Sequence, residues 1–198
     1  MNVYDFDKTI FYPDSSQTFY LYCLRKHPLA VLRSIPRSAV YAIGHLFGAV
    51  RTTKLKEKLF SFLKHIPEPE KLSEEFWDHN SHRIGKWYHA RKQSDDVIVS
   101  ASPEFLLKPV ARRLGARLIA TRMDPSSGRI EGENCHDHEK VRRFRELFPN
   151  AVVHEFYSDS DADSPMARLA QKAFRVDREK LSPWRFGRAK KSGEERSK

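Results

Sequence analysis

From residue 97 to residue 176, short unbroken apolar runs alternate with segments of helical period, and few folds accept that pattern. Val97-Ile98-Val99 is continuous rather than alternating, as in a strand buried on both faces, and it stops at Ser100. Pro103 to Leu114 then has helical spacing, with Ser102 at the N-cap position, Pro103 in the first turn and Gly115 as the stop. Arg117-Leu118-Ile119-Ala120 reads as another strand, and Asp124-Pro125-Ser126-Ser127-Gly128 as a turn within a hairpin. Asp137 to Phe148 is helical, Ala151 to Tyr157 a strand, Pro165 to Lys172 a helix, and Ala173 to Val176 a last short strand. One further strand, Val3-Tyr4-Asp5-Phe6, opens the chain and runs straight into an acidic loop. Strands and helices in this order predict an α/β fold with an open parallel sheet covered on both faces.

Residues 16–92 break that alternation. Apolar residues recur there at spacings of three and four, as in Leu55, Leu59, Phe62, Leu63 and Ile66, and prolines at 28, 36, 67 and 69 divide the stretch into separate helices. The expected organisation is a sheet-bearing core of residues 1–15 and 93–183, a helical insertion at 16–92 above the C-terminal edge of the sheet, and a basic, disordered tail at 184–198. Pro28 to Val50 is apolar in parts, but Arg33, Pro36, Arg37 and His45 interrupt it, which argues against a spanning helix. Its apolar face is expected to pack within the helical module, with a membrane surface as the alternative.

Charge narrows the partners. The net charge of +10 is concentrated: residues 25–65 carry nine Lys/Arg against Glu57 alone, and residues 184–198 carry six against two acids. Such a distribution calls for anionic partners, whether phosphometabolite, lipid headgroup or nucleic acid. No nucleic-acid reading motif accompanies the charge, so no specific nucleic acid is expected. With two distant cysteines, Cys23 and Cys135, and no basic leader before an apolar stretch, a cytoplasmic location is expected. Cys135-His136-Asp137-His138 lacks a second ligand pair at structural-zinc spacing and reads as a polar loop. His79 and His82 read as surface residues, and Trp77, Trp87 and Tyr88 as core.

Open α/β sheets bind ligands outside the carboxyl ends of their strands. Asp5 and Asp7 follow the first strand, Ser100 ends the second, and Asp159 and Asp163 follow the strand at 151–157. Several carboxylates at one site repel one another unless a cation joins them, and magnesium is a hard ion that takes carboxylate oxygens. Lys140 supplies a compact positive charge, with Arg142 and Arg143 as nearby rivals; Ser100 supplies a hydroxyl, with Ser102 as its rival.

These residues carry a resemblance. Asp5-Phe6-Asp7-Lys8-Thr9 resembles the D-x-D-x-T signature of the haloacid dehalogenase (HAD) superfamily. Ser100, Lys140 and Tyr157-Ser158-Asp159-Ser160-Asp161-Ala162-Asp163 resemble its second, third and fourth motifs, in order. The chain is most similar to the phosphoserine-phosphatase-like branch, subfamily IB, over about residues 1–178. That resemblance implies a Rossmann-like core with an inserted helical cap and a magnesium-dependent phosphatase acting on a phosphomonoester. It implies Asp5 as nucleophile and Asp7 as general acid and base, with Ser100, Lys140 and Thr9 at the phosphate and Thr9 also in support of the loop. It further implies Asp5, the Asp7 carbonyl and Asp159 as magnesium ligands, and Asp163 as support for Lys140 or a metal water. Transport ATPases of the superfamily carry threonine where Asp7 stands, so the aspartate here favours fast hydrolysis. Asp14 falls where phosphoserine phosphatases carry an acid for the substrate amino group, or else it caps a helix. The arginine for the substrate carboxylate has no clear counterpart, with Glu57 near its place, and Ala162 replaces an asparagine; both departures weaken the case for phosphoserine. The expected partner is a phosphorylated small molecule. A phosphatidylglycerophosphate-type lipid phosphatase in peripheral contact with an anionic membrane is the alternative, and a non-catalytic anion-binding module is the alternative from another class.

Overall fold

A computed structural model describes residues 1–186 of the chain. Among them, strands β1 (Asn2–Tyr4), β2 (Val97–Pro103), β3 (Arg117–Thr121), β4 (Val153–Ser158), β5 (Ala170–Asp177) and β6 (Lys180–Pro183) form one sheet in the order β3-β2-β1-β4-β5-β6. The first five are parallel, and β6 returns antiparallel to β5. Alternate residues of each strand leave opposite faces. Val3, Val97, Val99 and Phe156 join one core with Phe144 and Met166, whereas Tyr4, Ile98 and Tyr157 join the other. The sheet is therefore covered on both faces, as the continuous apolar runs predict.

Helix α1 (Ser15–Lys26), α2 (Pro28–Leu46), α3 (Thr52–Leu59), α4 (Pro69–Asn80) and α5 (Lys86–Arg91) all lie between β1 and β2. Part of this stretch belongs to the sheet's own core. Trp77 of α4 packs edge-on to Phe6 and Phe11, and Trp87 and Tyr88 of α5 pack against Tyr4. Helix α6 (Glu104–Leu114) covers the same face through Leu106 and Val110. Helices α7 (His138–Leu147) and α8 (Ser164–Ala167) cover the other. No helix among the described residues is long and apolar enough to cross a membrane.

Several expectations change. β2 runs on to Pro103, so α6 begins at Glu104 and Ser102 does not cap it. The helix expected at 165–172 stops at Ala167, because Ala170 to Arg175 pair with β4. β6 was not legible, its short polar run gaining order only from pairing with β5. Pro36 does not divide the second helix: α2 runs through it, leaving one backbone bond unmade. Ala30 and Val31 of α2 are buried as expected, but Leu29, Leu32, Val40, Ile43 and Leu46 face outward. Trp184, expected to open a disordered tail, is buried against Phe156, ring centroids 6.1 Å apart; the tail from residue 187 lies outside the described residues.

Candidate active site

The chain lays β1, β2 and β3 to one side and then returns with β4 beside β1, so the order reverses between β1 and β4. At that switch a crevice opens at the carboxyl ends of the strands. A pocket of about 300 Å3 occupies it, lined among others by Asp5, Asp7, Asp14, Ser100, Lys140, Asp159 and Asp163.

Asp5 extends β1, its amide donating to the Tyr157 carbonyl at 2.9 Å, and its carboxylate meets Lys140 from α7. Lys140 Nζ lies 2.6 Å from Asp5 Oδ1 and 2.8 Å from Asp163 Oδ1, with all three side chains buried. Ser158 Oγ steadies Asp163 at 2.7 Å. Burial alone would lower the Lys140 ammonium, but Asp5 and Asp163 together hold it above its ordinary value. Burial pushes the Asp5 carboxyl up, opposed by Lys140 and reinforced by Asp163. The two rivals of Lys140 are committed elsewhere. Arg142 is exposed on Glu139 and Glu146, while Arg143 donates to the Ala120 and Glu133 carbonyls at 2.8 and 2.6 Å.

Asp7 sits across the pocket. Its two oxygens accept from the Ser15 amide at 2.6 Å and from Ser102 Oγ at 2.5 Å. Burial, then the neighbouring Asp14, raise its carboxyl, and those two donors oppose the rise. Ser102 thus supports Asp7, while Ser100 Oγ accepts from the Ser102 amide at 3.1 Å and keeps its own proton free for the pocket. Asp14 both caps α1, accepting from the Gln17 amide at 2.9 Å, and lines the pocket.

Thr9 is fully buried and stands behind the pocket wall rather than in it. Its hydroxyl lies 3.3 Å from both Asp5 Oδ2 and Asp159 Oδ1 and accepts from the Asp159 amide at 2.9 Å. Expected both at the phosphate and in support of the loop, it ties the two acidic loops together, because its short side chain points back between them. Lys8 takes a left-handed conformation (φ 58°) that turns the loop. Within Asp159-Ser160-Asp161-Ala162-Asp163 the middle acid points outward to Arg175 at 2.9 Å.

Asp5, Asp7, Asp14, Asp159 and Asp163 together outnumber the cations beside them. Among the described residues no three His, Cys, Asp or Glu side chains enclose a metal position. A cation here would combine the paired Asp5 and Asp159 carboxylates with backbone oxygen and water. That all-oxygen donor set fits magnesium, which keeps several waters of its own.

Lys56, His136 and Ser16 also line the pocket, although the sequence assigned none of them to it. Lys56 enters from α3, donating to the Ala101 carbonyl at 2.7 Å and Asn134 Oδ1 at 2.9 Å. Burial lowers its ammonium, opposed by Asp7 and Asp14. Its signal is a lysine at positions i, i+4, i+7 with the buried Phe60 and Leu63. Glu57, beside it, turns away to the Ile130 amide and Lys54.

The sequence profile of haloacid dehalogenase-like hydrolases matches residues 3–168. Protein CicA of Caulobacter vibrioides is 31% identical over 193 residues, which cover 89% of this chain and 86% of that protein. A crystal structure of a Bordetella pertussis protein of unknown function superposes with a TM-score of 0.71 at 21% identity, covering 87% of each chain. A phospho-aspartyl intermediate analogue of phosphoserine phosphatase superposes with a TM-score of 0.51 at 16% identity, covering 86% of this chain and 83% of that one.

Proposed function

Because this chain belongs to the haloacid dehalogenase-like hydrolases, we propose that it hydrolyses a phosphomonoester through an aspartyl-phosphate on Asp5. The observation that carries this reading is the buried Lys140, shared at 2.6 Å by Asp5 and at 2.8 Å by Asp163, facing Asp7 across one pocket. A nucleophile, a separately held acid/base and a fixed cation are the parts that phosphoryl transfer needs.

Asp5 attacks phosphorus as the bond to the leaving oxygen breaks, and Asp7 gives that oxygen its proton. Asp7, now ionised, takes a proton from water; the water oxygen attacks the acyl phosphate, freeing Asp5 and inorganic phosphate. Lys140 and the Ser100 hydroxyl meet the phosphoryl oxygens, where transition-state charge gathers. Magnesium, held by Asp5, the Asp7 carbonyl and Asp159, would neutralise phosphate charge and orient the group for in-line displacement. Within residues 16–92, we take the part outside the sheet's core, with α3 and Lys56 at the pocket, as the cap that selects substrate.

One observation favours a lipid phosphomonoester as a second reading. An apolar trough of about 330 Å3, walled by Tyr20, Leu21, Leu59 and Phe60, shares Ser16 with the acidic pocket. An acyl or alkyl substituent would fit it.

Hydrolysis of an aryl phosphate with magnesium, by wild type and Asp5→Asn, tests the mechanism. Metal-dependent turnover lost in the variant is expected; equal turnover by both would remove Asp5 as nucleophile. Comparing short-chain phospholipid monoesters with soluble phosphometabolites then separates the two substrate readings.

A further inference from the structure

We propose that the outward face of α2 docks on a membrane surface rich in anionic lipid. Leu29, Leu32, Pro36, Val40, Ile43 and Phe47 recur every three or four residues, so they form one stripe along the helix. The stripe faces solvent: Leu29 is 71% exposed, Val40 67% and Phe47 83%. Large exposed apolar residues elsewhere among the described residues, such as Leu147 and Val152, are scattered. A face this continuous calls for a partner.

The helix is held in this orientation by its other side. Ala30, Val31, Ser34 and Ser38 are buried, and Ser38 Oγ donates to the Lys58 carbonyl of α3 at 2.8 Å. Rotation that would hide the stripe would expose these residues instead.

Charge selects the occupant. Arg33 on α2, Arg25 in the last turn of α1 before it and Arg51 at the start of α3 after it are exposed and form no ion pair among the described residues. A long amphipathic helix with an apolar stripe and a basic flank is the pattern of an interfacial helix lying in the headgroup plane. The chain's own residues 187–198 hold five Lys/Arg against two Glu, with Ala189 their only apolar residue, and would meet like charge with little to bury. A second copy placed face to face would set the same basic rims against each other. Anionic lipid satisfies both the stripe and the rim.

Docking is a binding property and does not depend on the catalytic reading. The test is flotation of the full chain with vesicles of phosphatidylcholine alone and of phosphatidylcholine mixed with phosphatidylglycerol. Wild type and Asp5→Asn are expected to float equally with the mixed vesicles and little with phosphatidylcholine. Leu32→Gln/Val40→Gln/Ile43→Gln is expected to lose on the order of tenfold or more in partitioning. Arg33→Gln/Arg51→Gln is expected to weaken binding most at low salt, where surface charge is least screened. Thermal melts of both variants matching wild type would tie those losses to the surface rather than to the fold. Failure of wild type to float with anionic vesicles would overturn the proposal. So would undiminished floating of the triple variant, or a wild-type dimer that the triple variant dissolves while vesicle binding is absent.

Discussion

Replacing Asp5 with asparagine is expected to stabilise the metal-free protein above neutral pH. Burial first, with Asp163 and Asp7 adding to it, holds the Asp5 carboxyl at about 7 against an ordinary 3.8, although Lys140 pulls it down. The folded state therefore binds this proton more tightly than the unfolded chain. The stability it contributes is complete below about pH 4 and is lost as pH rises through about 7. At about 1.4 kcal/mol per pH unit, the full loss is on the order of 4 kcal/mol, and most of it falls between pH 5 and 8. Asparagine does not titrate, and Lys140 keeps Asp163 at 2.8 Å, so the variant strands no buried charge. Urea unfolding in chelator at about pH 5 and about pH 8 reads the difference. Asp5→Asn should gain on wild type by about 2–3 kcal/mol between the two pH values. Saturating magnesium should reverse the order by binding the wild-type carboxylate. A difference that does not change with pH, or a variant less stable at pH 8, would refute the reasoning.

Lys140→Met leaves Asp5 and Asp163 buried without their cation; a stability loss of about 3 kcal/mol or more and loss of turnover are expected, read by urea unfolding and aryl phosphate assay. Lys56→Met should raise KM on the order of tenfold with kcat little changed, since the ammonium it removes lines the pocket but is hydrogen-bonded to Ala101 and Asn134 rather than to Asp5 or Asp7; an unchanged KM would remove Lys56 from the substrate site. Ser102→Ala removes a donor that lowers the Asp7 carboxyl, so the limb of the pH–rate profile belonging to Asp7 should move to higher pH, and a shift to lower pH would contradict its role.

The sheet was legible because a strand buried on both faces has to be apolar at consecutive positions, as Val97-Ile98-Val99 is. Its edge was not. Ala173 to Val176 reads as a strand, but Ala170 to Lys172 reads as the end of a helix, and only pairing with β4 makes those three residues part of β5. Trp77, Trp87 and Tyr88 were legible as core, and the structure buries them against Phe6 and Tyr4.

At the site, the strand ends announced Asp5, Asp7, Ser100 and Asp159, because a parallel sheet presents all its carboxyl ends on one edge. Which oxygen meets which donor was decided in three dimensions. Sequence alone placed Ser102 at a helix cap; the fold puts it on Asp7 and gives Thr9 its place in support of the loop, between the two acidic segments. Lys56 and the outward stripe of α2 depend wholly on tertiary packing. Helical period shows which residues share a face, but only the neighbouring elements determine whether that face meets a core, a pocket or solvent.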